Sequence, residues 1–259
     1  MSSFTVEKRD HILTFTFNRP EKYNALDIES YHALAQAMYQ LEHDENLRVG
    51  VILAAGKHFT AGIELDQWAP VFAAGGVVAP AEGELDPFGV VGPRLSKPLI
   101  IATHGLCYTS GVELSLNCDY HFSTAETRFA QLEVKRGIYP CGGGTVRLPK
   151  AIGWGNAQRY LLTGDEWSGK QAHQWGMVQE LCEREALPAK ARALALKMAQ
   201  AAPLGVQASL RSSKLARFES EQAALDDVYG EMPAVMKSAD AAEGVNSFLE
   251  RRQAHFSGK

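Results

Sequence analysis

The sequence predicts a mixed α/β core followed by a helical C-terminal portion. Three observations predict it. The first third reads in turn as strand, helix, strand, turn and helix. The stretch from Ile100 to Asp119, I-I-A-T-H-G-L-C-Y-T-S-G-V-E-L-S-L-N-C-D, passes from a short apolar run into a mostly apolar helix. The last quarter is helical, with no strand signal. A chain of 259 residues, 46% of them hydrophobic, suffices for one large domain or a domain with a helical appendage. We divide it into a core, residues 1–200, and a helical region, 201–259, of the kind that often makes oligomer contacts.

Taken in order, residues 4–17 alternate as Phe4, Val6, Ile12, Phe15 and Phe17 around a polar Lys8-Arg9-Asp10 turn, a β-hairpin pattern. Ala25 to about Leu41 is an amphipathic helix with Ile28, Tyr31, Leu34, Ala35 and Met38 on one face. Val49 to Ala55 is a buried strand, and Phe59 to Leu65 turns into a short helix. Residues 69–93 are rich in Ala, Gly and Pro and read as a mobile loop with at most one short helix. That loop is either a solvated insertion or a lid lined by Phe72, Val77, Val78 and Phe88. Tyr120 to Ser123 reads as a strand, and Gly137 to Thr145 as a tight loop feeding a helix. Asn156 to Leu162 is helical, Ser168 caps a helix through Trp175, and Gly176-Met177-Val178 leads into a short strand. An Ala-rich helix follows from about Leu187, and two more cover roughly 204–218 and 220–237 before the last segment, 240–252.

Charge and cysteine usage narrow the classes. A net charge of −4 argues against a general nucleic-acid surface. Cys107, Cys118, Cys141 and Cys182 have neither metal spacing nor disulfide density, which fits a reducing compartment. The opening M-S-S-F-T-V-E-K-R-D has no apolar signal core, and no run approaches the ~20 apolar residues of a membrane span, so the expected location is cytoplasmic.

Two carboxylates stand out. Glu113 sits at the start of the apolar helix after Ser110-Gly111, and an ionised acid is costly to bury without a partner, a shifted pKa or a task. The N-terminus of the same helix offers unpaired N–H donors suited to a developing oxyanion. Taken alone, Gly111 also fits an ordinary strand-to-helix turn, and Glu133 an exposed acid in a first helical turn.

The motifs, taken together, resemble the enoyl-CoA hydratase/isomerase (crotonase) superfamily over nearly the whole chain, closest to enoyl-CoA hydratases. They are Asn18 to Asp27, Phe59 to Leu65, His104-Gly105 through Gly111-Val112-Glu113-Leu114 to Asp119, Phe129 to Glu133, Pro140 to Thr145 with Arg147-Leu148, and Glu243-Gly244 with Phe248 to Arg252. The resemblance implies a spiral of ββα repeats forming an acyl-CoA-binding core, a helical trimerisation region, and homotrimers or dimers of trimers. It implies an acyl-CoA thioester substrate, with coenzyme A as part of that substrate, no separate cofactor and no metal. By motif matching it assigns the oxyanion donors to the Ile63 and Ser110 backbone N–H groups, and catalysis to Glu113 (water activation) and Glu133 (α-proton transfer). It assigns substrate contact to Lys22, Ala25, Ala61, Ile63, Glu64, Leu65, Asp66, Gly111 and Cys141, with Lys57 near a phosphate and Lys259 reaching over from a neighbouring subunit.

Departures from the family pattern are Thr109 and Ser110 in place of glycines, His104 for Asn, Glu64 for Asp, and Cys141 for Gly. Tyr108 and Tyr139 are either core or substrate donors, and Asp165 either a turn residue or a third acid. The resemblance implies reversible syn hydration of a 2-enoyl-CoA thioester to a 3-hydroxyacyl-CoA. The alternatives are a Δ-isomerase or other acyl-CoA lyase, and a non-catalytic acyl-CoA-binding oligomer.

Overall fold

A computed structural model describes residues 3–259. Met1 and Ser2, where the leader reading begins, lie outside the described residues. Strands β1 (Phe4–Arg9) and β2 (Ile12–Phe17) form the expected hairpin, with the turn moved to Asp10-His11, both at positive φ. Helix α1 (Ile28–His43) starts later than the apolar pattern does, because the Asp27 side chain caps it by accepting the Ser30 N–H. Strand β3 (Val49–Ala54) leads to α2 (Leu65–Ala73). Strands β4 (Leu99–Thr103) and β5 (Leu106–Tyr108) precede α3 (Ser110–Asn117). Then come β6 (Tyr120–Ser123), β7 (Arg128–Ala130), a short 3₁₀ turn Glu133–Arg136, α4 (Gly144–Ile152) and α5 (Trp154–Thr163). Strand β8 (Glu166–Ser168), α6 (Gly169–Gln174), β9 (Glu180–Leu181) and α7 (Leu187–Ala199) complete the core.

The repeat is visible in the pairing. A first strand of each unit joins a sheet of order β1-β2-β3-β4-β6-β9, while the second strands β5 and β7 join β8 in a smaller sheet. Earlier units carry only single-residue bridges at that place, Leu26 to Ile63 and Thr60 to Cys107. So the chain winds β2–Leu26–α1, β3–Thr60–α2, β4–β5–α3 and β6–β7–3₁₀ turn. The main apolar core fills the space between the large sheet and the inner helices, with Phe15, Ile52, Phe59, Ile101, Phe129 and Trp167 buried. A second cluster packs α7 on the other face of the sheet, through Ala191, Ala195 and Ala199 against Val51, Ile100 and Phe122.

The stretch 69–93 corrects the sequence reading. Its start belongs to α2, and its end is packed rather than mobile. Leu85 to Gly89 are buried. Asp86 fixes them by accepting from the N–H groups of Phe88 (3.1 Å), Val90 (2.7 Å) and Val91 (3.0 Å) and from the Tyr31 hydroxyl (3.3 Å). Of the proposed lid residues, Phe88 is buried and Val77 faces solvent.

The C-terminal part holds α8 (Pro203–Phe218), α9 (Glu221–Asp226), α10 (Met232–Met236) and α11 (Ala239–Glu250). One helix was expected over 220–237, and two form. The Gly230 N–H closes a turn on the Asp227 carbonyl at 2.8 Å, and Pro233 restarts the helix in its first turn. No helix among the described residues is long and apolar enough to cross a membrane.

Candidate active site

The loop after β3 is laced to its neighbours. Thr60 donates its N–H to the Leu106 carbonyl (3.0 Å) and accepts from the Tyr108 N–H (3.1 Å). The Leu26 N–H donates to the Gly62 carbonyl (2.8 Å), and the Glu64 N–H to the Leu26 carbonyl (2.9 Å). These bonds face Leu26 from either side of Ile63, so the intervening Ile63 N–H is directed the other way. Across from it lies the head of α3. A Cβ added to Gly62 (φ +105) would fall 2.0 Å from Thr109 Oγ1, which puts Gly62-Ile63 against Thr109-Ser110. Ser110 is the first residue of α3, where N–H groups lack an intrahelical acceptor. Among the described residues neither the Ile63 nor the Ser110 N–H has a protein acceptor.

Thr109 adopts φ 48°, ψ −111°, a region that glycine tolerates and a β-branched residue does not. Its buried hydroxyl has no partner. Gly111 is packed rather than open: an added Cβ would lie 2.5 Å from Thr60 Cγ2. The absence of a side chain there lets α3 approach the Thr60 loop.

Glu113 lies one turn beyond Ser110, on the same face of α3. It is 5% exposed, and its Oε1 accepts from the Gly144 N–H at 2.9 Å. Burial raises its pKa to about 7, against the opposing pull of the Gly144 and Gly142 N–H groups and of Arg147. Glu133 opens the 3₁₀ turn after β7 and is 8% exposed. Burial raises its pKa to about 8, and the charge of Glu113 adds to that. Gln131, fully buried, places its amide nitrogen 3.0 and 3.2 Å from the two Glu133 oxygens once the amide is oriented to suit its neighbours. Glycines make the room: a Cβ on Gly142 would lie 2.7 Å from Glu113 Oε2, and one on Gly144 would lie 2.4 Å from Gln131 Nε2. Cys141 is exposed, its thiol on the Tyr139 carbonyl at 3.2 Å. Burial and the charges of both glutamates push that thiol up.

The other sequence-selected residues divide into two groups. Lys22, Ala25, Ala61, Ile63, Glu64, Leu65 and Asp66 gather where β2 and β3 end. Asn24 builds this corner, its amide donating to the Ala55 (2.9 Å) and His58 (2.8 Å) carbonyls. The Ala61 N–H donates to the Tyr23 carbonyl, and the Ala25 carbonyl accepts from Arg19. Glu64 is engaged by Arg19 (2.7 Å), Gln67 (2.9 Å) and Lys22 (3.5 Å), so the exposed Lys22 is held over the loop by an acid. Leu65 and Asp66 sit in the first turn of α2.

Lys259 is not among them within one chain. Its carbonyl accepts from the Asp240 N–H at 3.1 Å, and the Phe256 carbonyl rests on Arg48, at the opposite end of β3. Tyr108 is no substrate donor, since its hydroxyl is bound to Glu166 at 2.6 Å, while Tyr139 is 66% exposed. Asp165 is an exposed turn residue whose N–H meets Thr163 Oγ1. His104 is buried and bonded to the Gly56 carbonyl at 2.9 Å. Sequence reasoning gave no role to Asp86, Gln131 or Arg147, although the last two lie inside motifs it picked out.

Comparison with known proteins bears on the family and the fold. The profile of the enoyl-CoA hydratase/isomerase family matches residues 7–259. The chain is similar to the 1,2-epoxyphenylacetyl-CoA isomerase of Escherichia coli, 30% identical over 250 residues, with 96% of this chain and 95% of that one covered. It is similar to the carnitinyl-CoA dehydratase of Salmonella typhimurium, 32% identical over 271 residues, with 99% of each covered. Among solved structures, a probable enoyl-CoA hydratase/isomerase from Mycobacterium abscessus superposes with TM-score 0.95 at 40% identity, over 99% of each chain. An enoyl-CoA hydratase from Mycobacterium marinum superposes with TM-score 0.89 at 35% identity, again over 99% of each. This chain belongs to the enoyl-CoA hydratase/isomerase family, the crotonase superfamily, whose members act on CoA thioesters.

Proposed function

We propose that the chain is an enoyl-CoA hydratase, adding water syn across the double bond of a 2-enoyl-CoA thioester to give a 3-hydroxyacyl-CoA, reversibly. The observation that carries this reading is the pair Glu113 and Glu133, both buried and each held by its own donors. Glu113 is the easier of the two to ionise, because backbone N–H groups and Arg147 favour its charge. As carboxylate it removes a proton from water while the oxygen bonds to the β-carbon. The alkene electron pair shifts toward the thioester, and charge gathers on the carbonyl oxygen. The Ile63 and Ser110 N–H groups receive that charge, each worth about 3 kcal/mol in the transition state. Glu133, protonated, delivers its proton to the α-carbon. The proton held by Glu113 returns to Glu133 before the next turnover.

The coenzyme A part of the substrate would lie along Lys22, Ala25, Ala61 and the Glu64 to Asp66 segment. Four free cysteines support a cytoplasmic location. Exposed apolar side chains of the C-terminal part, Tyr229 between α9 and α10 and Phe248 and Leu249 on α11, support a homo-oligomer, a trimer or dimer of trimers. Lys259 would act only across such an interface. Hydration in deuterium oxide tests the mechanism: the product should carry one deuterium at the α-carbon, syn to the new hydroxyl. A product with mixed stereochemistry would remove Glu133 as the proton donor. The relative named 1,2-epoxyphenylacetyl-CoA isomerase favours a second reading, an isomerase of a CoA thioester that adds no water.

A further inference from the structure

Arg147 is a buried guanidinium without a carboxylate in contact. It is 6% exposed, and among the described residues it forms no ion pair. Its donors go to three carbonyls on two loops. One nitrogen serves Phe88 (2.5 Å) and Gly142 (3.4 Å), and the other serves Gly89 (2.8 Å). The first loop is the segment pinned by Asp86. The second is the glycine turn, whose Gly144 N–H holds Glu113 and whose Gly142 N–H also favours the Glu113 charge. The Gly142 residue therefore presents its carbonyl to Arg147 and its N–H toward Glu113. Gly143 leaves the space this needs, since a Cβ there would fall 2.7 Å from an Arg147 nitrogen.

We propose that Arg147 is a positioning residue for Glu113: it clamps the Phe88-Gly89 segment to the glycine turn and supplies a buried positive charge near Glu113 when that acid ionises. The idea rests on the reading of Glu113 as the base. The groups acting on Glu113 are Arg147 from α4, Asp86 from the pinned loop and Glu133 from the 3₁₀ turn, with Cys141 beside it in the glycine turn. Asp86 and Glu133 disfavour its charge, and Arg147 favours it. Losing Arg147 therefore moves Glu113 ionisation to higher pH.

The test compares wild type with Arg147→Met and Arg147→Lys. The titration of the Glu113 carboxyl is read by infrared difference spectroscopy, its band assigned by its loss in Glu113→Gln. This readout does not need turnover, so failure of the hydratase reading and failure of the clamp are separable. The Met variant should titrate about one pH unit or more above wild type, and the Lys variant within about half a unit of it. Where crotonyl-CoA is hydrated, kcat of the Met variant should fall at least about tenfold near neutral pH and recover in part at higher pH, with KM little changed. A folded Met variant whose Glu113 titrates as in wild type overturns the proposal, whatever its rate. If the Met variant does not fold, Arg147→Gln, which loses the charge but keeps an amide donor on a shorter side chain, takes its place under the same two outcomes.

Discussion

The Gly144 N–H donates to Glu113 Oε1 at 2.9 Å, and the same glycine has no room for a methyl group against Gln131. One backbone position thus keeps both glutamate environments in register: it binds Glu113 directly and touches the amide that serves Glu133. The glycine run 142–144 owes its composition to these contacts rather than to turn conformation alone. Only Gly143 of the three lies at positive φ, at +99°.

Gly142→Ala is the sharpest probe of that register. The new methyl would meet Glu113 Oε2 at 2.7 Å while the backbone stays in an ordinary region. The carboxylate, not the fold, must move. A displaced catalytic group costs on the order of 100-fold in rate. The expected result is a large fall in kcat with a near-normal thermal midpoint, read by turnover and circular dichroism on the same sample.

Burial of Glu113 makes stability depend on pH. Its pKa rises from 4.5 in the unfolded chain to about 7 in the fold, so between these values the folded chain binds more protons. The contribution is present below the unfolded value and is lost as pH rises through about 7. The full change is about 3 kcal/mol of stability between pH ~4 and pH ~8. Urea midpoints of wild type and Glu113→Gln should therefore diverge with rising pH, wild type losing more. Parallel curves would mean that folding does not raise the Glu113 pKa.

Thr109→Gly should stabilise the protein. It relieves a strained backbone, φ 48° and ψ −111°, and removes a buried hydroxyl without a partner. Strain of this kind costs on the order of 1–3 kcal/mol, partly offset by the greater freedom of glycine in the unfolded chain. A net gain of about 1 kcal/mol is expected, seen as a higher thermal midpoint. A lower midpoint would place the Thr109 hydroxyl in a bond that holds the site together.

Asp86→Ala should release the segment 85–91. It leaves the N–H groups of Phe88, Val90 and Val91 without their acceptor. The loss is about 2–4 kcal/mol, since Val90 and Val91 lie near solvent and their N–H groups can be rehydrated. Hydrogen exchange at these amides should quicken well beyond the change at β3 and β4, whose ladders do not involve Asp86.

How much of this was legible in the sequence varies by element. The long strands β2, β3 and β4 and helix α1 carry full apolar periods and were readable. The three-residue strands β5, β7 and β8 were not all resolved, because no period fits in so short a run. The hairpin turn shifted by one step because Asp10 and His11 take left-handed conformations that no glycine announces. The packed half of 69–93 was misread as mobile, since one carboxylate, Asp86, does the work of a hydrophobic pattern. At the site, Glu113 was visible as an acid in an apolar helix. Glu133 became visible only through the resemblance. Arg147 was hidden because its partners are backbone carbonyls of other loops, which spacing does not encode, and Gln131 because a two-residue offset from Glu133 does not by itself mark a contact.

The most direct test of the two-glutamate reading follows the enoyl-thioester absorbance of crotonyl-CoA with wild type, Glu113→Gln and Glu133→Gln. Hydration by wild type, with each variant reduced by roughly 100-fold or more while still binding the thioester, is the predicted result. Wild type that binds the thioester without hydrating it, or a variant that retains near-normal hydration, would contradict the account.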